Sequence, residues 1–224
     1  MLTSTAHSVT RDIVEQAILE LPNINFKHTL NSPSGDFFYD GWDIKPEYKD
    51  TVWDTLLNSL PFEKGEARII KLSPGTCYQS HSDIDDRYHL TISSDRSYLV
   101  DILENKLYPT DSDANWHCLD AGKLHSAVNF GVSDRYQLVV RHLLTRNVLK
   151  DPVDITLSTS LTDPNRARHI FDNAISPWLN YANKTKHINN FKMHLPTVSL
   201  TIERQEMGSL EQILPDEFFI STND

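Results

Sequence analysis

Between residues 10 and 21 the apolar side chains Ile13, Val14, Ala17, Ile18 and Leu21 recur at intervals of three and four, the spacing of one amphipathic helix. A second helix is expected from Pro46, a favourable first-turn residue, with Val52, Leu56, Leu57 and Leu60 on one face. The stretch between them is rich in Asn, Ser, Pro, Gly and aromatic residues and reads as loop, with a short strand around residues 37–42.

The pattern then changes period. Residues 67–72, 87–93, 98–107, 116–119, 125–130 and 136–144 are short runs rich in β-branched and aromatic side chains. Turn signals separate them: Ser73-Pro74-Gly75, Ser93-Ser94-Asp95, residues 110–115, Asp120-Ala121-Gly122 and residues 131–134. Many strands in series with no helix between them predict an antiparallel sandwich or barrel. Helical spacing returns after Lys150. Asp163-Pro164 supplies an N-cap and a first-turn proline, and that helix is expected to run to about Ser176, where Pro177 breaks or kinks it. A strand at 197–202 and a short helix at 210–214 complete the tail. The expected class is α+β with a mainly β core, divided into a domain at 1–150 with N-terminal helices and a mostly helical extension at 151–224 packed on it.

Charge and composition narrow the function. The formal net charge of -10 disfavours nucleic acid as the main partner, because phosphate binding needs a basic face. No segment approaches the roughly 20 apolar residues of a membrane span, and the N-terminus lacks a basic start followed by an apolar run. Cys77 and Cys118 are too few for a disulfide framework or a zinc ligand set, which fits a reducing cytoplasm. Cys77 itself reads as a small core residue.

The candidate chemistry lies in SHSDIDDRYHL, residues 80–90. His81 and Asp83 are two apart, so an extended backbone sends both side chains from one face. With a third ligand, led by His125 after the turn at Asp120, they would make two histidines and one carboxylate, the donor set of non-haem Fe(II) oxygenases. An HxD pair alone is more often an exposed turn, and His125 alone a hydrogen-bonded strand histidine. Arg135 opens the last apolar strand, where a buried guanidinium is costly unless it meets an anion. A dicarboxylate would suit its planar fork. Arg141 shares its strand parity and is the rival for that role. Arg87 and His89 alternate on one face and could hold a second carboxylate. Asp85 and Asp86 read as solvated turn residues, with pairing to Arg87 or to a basic substrate group as the alternative; His117 and Trp116 read as pocket walls, Trp116 more readily as core, and His142 has no evident partner.

The segments PGTCYQSHSDIDDRYHLTI and HCLDAGKLHSAVNFGVSDRYQLVV together resemble the aspartyl/asparaginyl β-hydroxylase family of 2-oxoglutarate- and Fe(II)-dependent oxygenases. The resemblance covers residues 72–144; the flanks carry no family motif. It implies a double-stranded β-helix, the jelly-roll or cupin-like fold. It implies His81, Asp83 and His125 as ligands of Fe(II), Arg135 at the distal carboxylate of 2-oxoglutarate, and Arg87 and His89 near its metal-bound end. Asp83 matches a carboxylate in bacterial free amino-acid hydroxylases, such as the proline cis-hydroxylases, where the animal protein hydroxylases have glycine. The implied activity is hydroxylation of an amino acid, free or peptidyl, with O2 as co-reactant and succinate and CO2 as products. The contrasting expectation is a non-enzymatic metal-binding or regulatory β barrel.

Overall fold

In the computed structural model, which describes residues 1–222, strands account for 40% and helices for 23%, so the chain is mainly β, with several antiparallel sheets compatible with a β-sandwich. Two compact units can be distinguished.

The first unit comprises residues 1–80, 85–120 and 125–143. It contains β1 (Leu2–Ser8), α1 (Arg11–Leu19), β2 (Lys27–Thr29), β3 (Asn31–Pro33), β4 (Trp42–Ile44), α2 (Val52–Asn58), β5 (Lys64–Leu72), β6 (Arg87–Ser93), β7 (Ser97–Asp101), β8 (Lys106–Pro109), β9 (Asn115–Leu119), β10 (His125–Asn129) and β11 (Arg135–His142). Six strands form one sheet in the order β1-β9-β6-β11-β5-β2, three form β10-β7-β8, and β3 pairs with β4.

Strand β11 lies near the middle of the large sheet and is buried on both faces from Gln137 to Arg141. The two faces differ in chemistry because successive side chains point in opposite directions. Leu138 and Val140 share a fully buried cluster with Ala67, Ile69, Leu90, Ile92 and Trp116, and with Ala17 of α1 and Trp53 and Leu56 of α2. The indole N–H of Trp116 donates to Ser59 Oγ at 2.9 Å, which makes Trp116 a core residue rather than a pocket wall. The other face carries Arg135, Gln137, Val139 and Arg141. Across the ladder Gln137 stands opposite Thr91, Val139 opposite both His89 and Arg68, and Arg141 opposite Arg87. A polar, arginine-rich sheet face therefore backs an apolar one.

The second unit comprises residues 81–84 and 121–124 together with the chain from Leu144 onward. Here β12 (Pro152–Thr159), β13 (Ile188–His194), β14 (Thr197–Glu203) and β15 (Phe218–Thr222) form an antiparallel sheet in the order β13-β14-β12-β15. Its helices are α3 (Pro164–Ile170), α4 (Ser176–Lys184) and α5 (Met207–Ile213). Alternation buries Ile155 and Leu157 on β12 and Val198, Leu200 and Ile202 on β14, and α4 buries Leu179 and Ala182.

Several sequence expectations need correction. Residues 98–107 are not one strand but the hairpin β7–β8. Its turn is fixed by Asp101 Oδ1, which accepts the Glu104 N–H at 3.0 Å, and by Asn105 in the left-handed region at φ 51. Residues 37–42 form a turn, with strand structure only from Trp42. The helix expected from Pro46 is a short 3-10 turn, Pro46–Tyr48, separated from α2 by Asp50 at φ 60; Thr51 then caps α2 by accepting the Trp53 N–H. The expected mostly helical tail contains a four-stranded sheet, of which only the strand near 197–202 is visible in the sequence reading. Pro177 does not end its helix. A π-helical segment, Phe171–Ile175, absorbs the proline, and α4 continues beyond it.

Candidate metal centre

His81 and Asp83 flank Ser82 in a short irregular segment, and His125 is the first residue of β10. One ligand atom from each of His81, Asp83 and His125 lies within 4.8 Å of the other two. His81 Nε2 and Asp83 Oδ2 are 3.9 Å apart. Two imidazoles and one carboxylate at such separations can hold a metal ion. His125 is only 3% exposed, whereas His81 is partly open. The identity of a metal does not follow from the three donors alone.

His89 lies on the polar face of the large sheet, where the charge of His125 acts on it. It is buried, and desolvation first, followed by the positive fields of Arg135, His125 and Arg87, pushes its pKa down to about 3 against the hydrogen bond that its ring makes to Gln137 Oε1. Its Nδ1 lies 3.3 Å from Gln137 Oε1, and Gln137 Nε2 donates to Thr91 Oγ1 at 3.0 Å. The other ring nitrogen, Nε2, is buried without a hydrogen-bond partner. His89 is therefore a neutral imidazole at neutral pH, set among three groups that carry or can carry positive charge.

Arg135 and Arg141, two rivals by strand parity, are separated by their surroundings. Arg141 Nε donates to Asp85 Oδ2 at 2.7 Å, Nη2 donates to the same oxygen, and its guanidinium carbon lies 4.4 Å from the centre of the Phe37 ring and 4.7 Å from that of Phe38. Its charge is already matched. Arg135 is 2% exposed, and its Nε and Nη1 are buried with no hydrogen-bond partner. Burial lowers its pKa to about 10, a cost that nearby Tyr78 only partly offsets. The same burial pushes the Tyr78 phenol up to about 12, although Arg135 and Arg68 pull it down. An unmatched buried guanidinium is the most direct electrostatic mark of an anion site.

Arg87 is held by Asp85, with Nη2 to Oδ1 at 2.9 Å. Asp85 thus contradicts the solvated-turn expectation and takes the alternative of pairing with Arg87: it is 2% exposed and bridges Arg87 and Arg141. Asp86 is half-buried, its carbonyl accepting the His142 N–H at 3.0 Å. Cys77 is exposed rather than core. His117 faces Asp113, with Nε2 3.1 Å from Oδ2.

Sequence reasoning missed Gln137, Arg68, Tyr78 and Asn180. Gln137 was recoverable, since it shares the parity of Arg135 in a strand otherwise apolar. Asn180 was not, because nothing local ties a helix residue to a segment about a hundred positions earlier.

No protein-family model matches this chain, and no curated protein matches it.

Proposed function

We propose that this chain is a 2-oxoglutarate- and Fe(II)-dependent dioxygenase that hydroxylates a C–H bond of an amino acid, free or within a peptide. The observation that carries the proposal is Arg135: a guanidinium nine-tenths buried, with Nε and Nη1 unsatisfied, in a chain that also gathers a two-histidine, one-carboxylate cluster. A carboxylate on that guanidinium would supply the counter-charge and acceptor that its buried N–H groups lack. His89 is buried on the same sheet face as Arg135, and the charges of Arg135 and His125 both act on it. The resemblance of residues 72–144 to the aspartyl/asparaginyl β-hydroxylases supports the same reading. In it, the antiparallel sheets form a double-stranded β-helix of jelly-roll or cupin type.

In this account His81, Asp83 and His125 would hold Fe(II), a donor set that leaves coordination positions for exogenous ligands. Bound Fe(II) supplies O2 activation coupled to decarboxylation of 2-oxoglutarate to succinate and CO2, with one oxygen atom entering the substrate C–H bond. Arg135 neutralises the distal carboxylate of the cosubstrate, and His89 and Arg87 border its metal-proximal end. The Asp85 carboxylate, fixed between Arg87 and Arg141, keeps the Arg87 guanidinium in place. No side chain acts as nucleophile or obligatory base. Asp83 favours a free amino acid over a protein substrate, by analogy with the bacterial members of the family it resembles.

The test is succinate release by purified protein with Fe(II), 2-oxoglutarate and O2, screened against free amino acids and peptides. Stoichiometric succinate and hydroxylated product from one substrate are expected. Metal binding without coupled turnover on any member of either panel would favour a non-enzymatic metal-binding barrel.

A further inference from the structure

We infer that Asn180 and the main-chain carbonyl of Asp172, both in the C-terminal helical segment, are positioning groups for the His81–Asp83 metal-ligand segment; the inference rests on the metal reading above. In the π-helical segment the Ser176 N–H reaches back five residues to the Phe171 carbonyl. The next bond in that register would join the residue 177 N–H to the Asp172 carbonyl, and a proline has no N–H to give. The Asp172 carbonyl is instead taken by Ser82, whose backbone N–H donates to it at 3.1 Å and whose hydroxyl donates to it as well. Ser82 is fully buried and lies between His81 and Asp83.

Three residues after Pro177 in α4, the carboxamide of Asn180, itself 4% exposed, donates from Nδ2 to the carbonyls of Ile84 at 3.2 Å and Asp83 at 3.4 Å. The Asp83 N–H is held in turn by the Ala121 carbonyl at 2.7 Å. Gly122 adjoins that contact, and a Cβ added there would stand 2.4 Å from Asn180 Cγ and Oδ1, so only glycine admits the carboxamide. The backbone between the two ligands and just after them is thus bonded: Ser82 to Asp172, Asp83 N–H to Ala121, Asp83 and Ile84 carbonyls to Asn180. A short segment without regular structure acquires fixed donor directions from a helix remote in sequence. The role assigned to the C-terminal segment is to keep the two ligands pre-organised, with the entropy of ordering them already met in the metal-free protein.

The test is calorimetric and visible-absorption titration of the full-length chain with Co(II), with Tm of the metal-free protein measured alongside. Asn180→Ala should bind Co(II) about 10–100-fold more weakly, with a changed cobalt spectrum. Ser82→Ala, which removes only the hydroxyl bond, should weaken binding in the same direction by a smaller factor, and decides the matter if Asn180→Ala does not fold. His81→Ala serves as the control for the metal reading and should abolish binding. Wild-type affinity and spectrum in both Asn180→Ala and Ser82→Ala, with only Tm reduced, would overturn the positioning role while leaving the metal centre intact. Failure of the wild-type chain to bind Co(II) would overturn both.

Discussion

Arg141 donates from Nε to Asp85 Oδ2 at 2.7 Å with both side chains almost fully buried, and Arg87 Nη2 reaches the other oxygen at 2.9 Å. One carboxylate thereby answers two guanidiniums on the polar face of the large sheet, while Arg135 on the same face keeps Nε and Nη1 buried without a hydrogen-bond partner. Asp85 is the hinge of this arrangement. Replacing it by alanine would strand two buried cations, and loss of one partner of a buried ion pair costs on the order of 3–5 kcal/mol. Asp85→Ala should therefore lower unfolding free energy by about that amount in urea denaturation, where a solvated turn aspartate would change it by less than about 0.5 kcal/mol.

The opposite sign is expected at Arg135. An unmatched buried charge burdens the ligand-free fold, so Arg135→Met should leave stability unchanged or raise it, by about 1 kcal/mol or more. The same substitution should weaken 2-oxoglutarate binding by on the order of 2–5 kcal/mol. Thermal unfolding without ligand and calorimetry with 2-oxoglutarate read the two effects separately. A lower Tm with unaltered 2-oxoglutarate affinity would assign Arg135 to structure alone.

His89 gives the acid side of the stability profile a specific shape. Its folded pKa of about 3 lies below the ordinary 6.5, with desolvation as the main cause. Between those values the unfolded chain binds a proton that the folded chain refuses, so stability falls as pH drops through the window and is fully present above it. His89→Gln removes that linkage. Urea midpoints measured across the window should decline less steeply for the variant than for the metal-free wild type, and parallel curves would show that His89 is not the buried neutral group described above.

The outline of the first unit was legible because turn chemistry and strand composition agree locally. Residues 87–93 form β6 with the expected bounds, and β9, β10 and β11 differ from expectation only at their ends. The β7–β8 hairpin was hidden because Ile102 and Leu103 continue the apolar run through what is a turn held by Asp101 and Asn105. β1 was hidden for the reverse reason: its Ser- and Thr-rich sequence is half-exposed at the edge of the sheet, beside β9, and carries no apolar alternation. At the site, His81, Asp83 and His125 could be named from residue type and order. The burial of Asp85 could not, since adjacent aspartates in a polar stretch look solvated until the partners Arg87 and Arg141 are placed around one of them. The bond from Asn180 to Asp83 joins positions that only the tertiary fold brings together.

The central claim is that His81, Asp83 and His125 hold an iron to which 2-oxoglutarate binds with its far end on Arg135. Anaerobic titration of Fe(II) and 2-oxoglutarate into the full chain, followed by visible absorption, tests it most directly. A metal-to-ligand charge-transfer band that saturates at one iron per chain, requires 2-oxoglutarate and vanishes in His125→Ala is the predicted result; a folded wild-type protein that develops no such band with both present would contradict it.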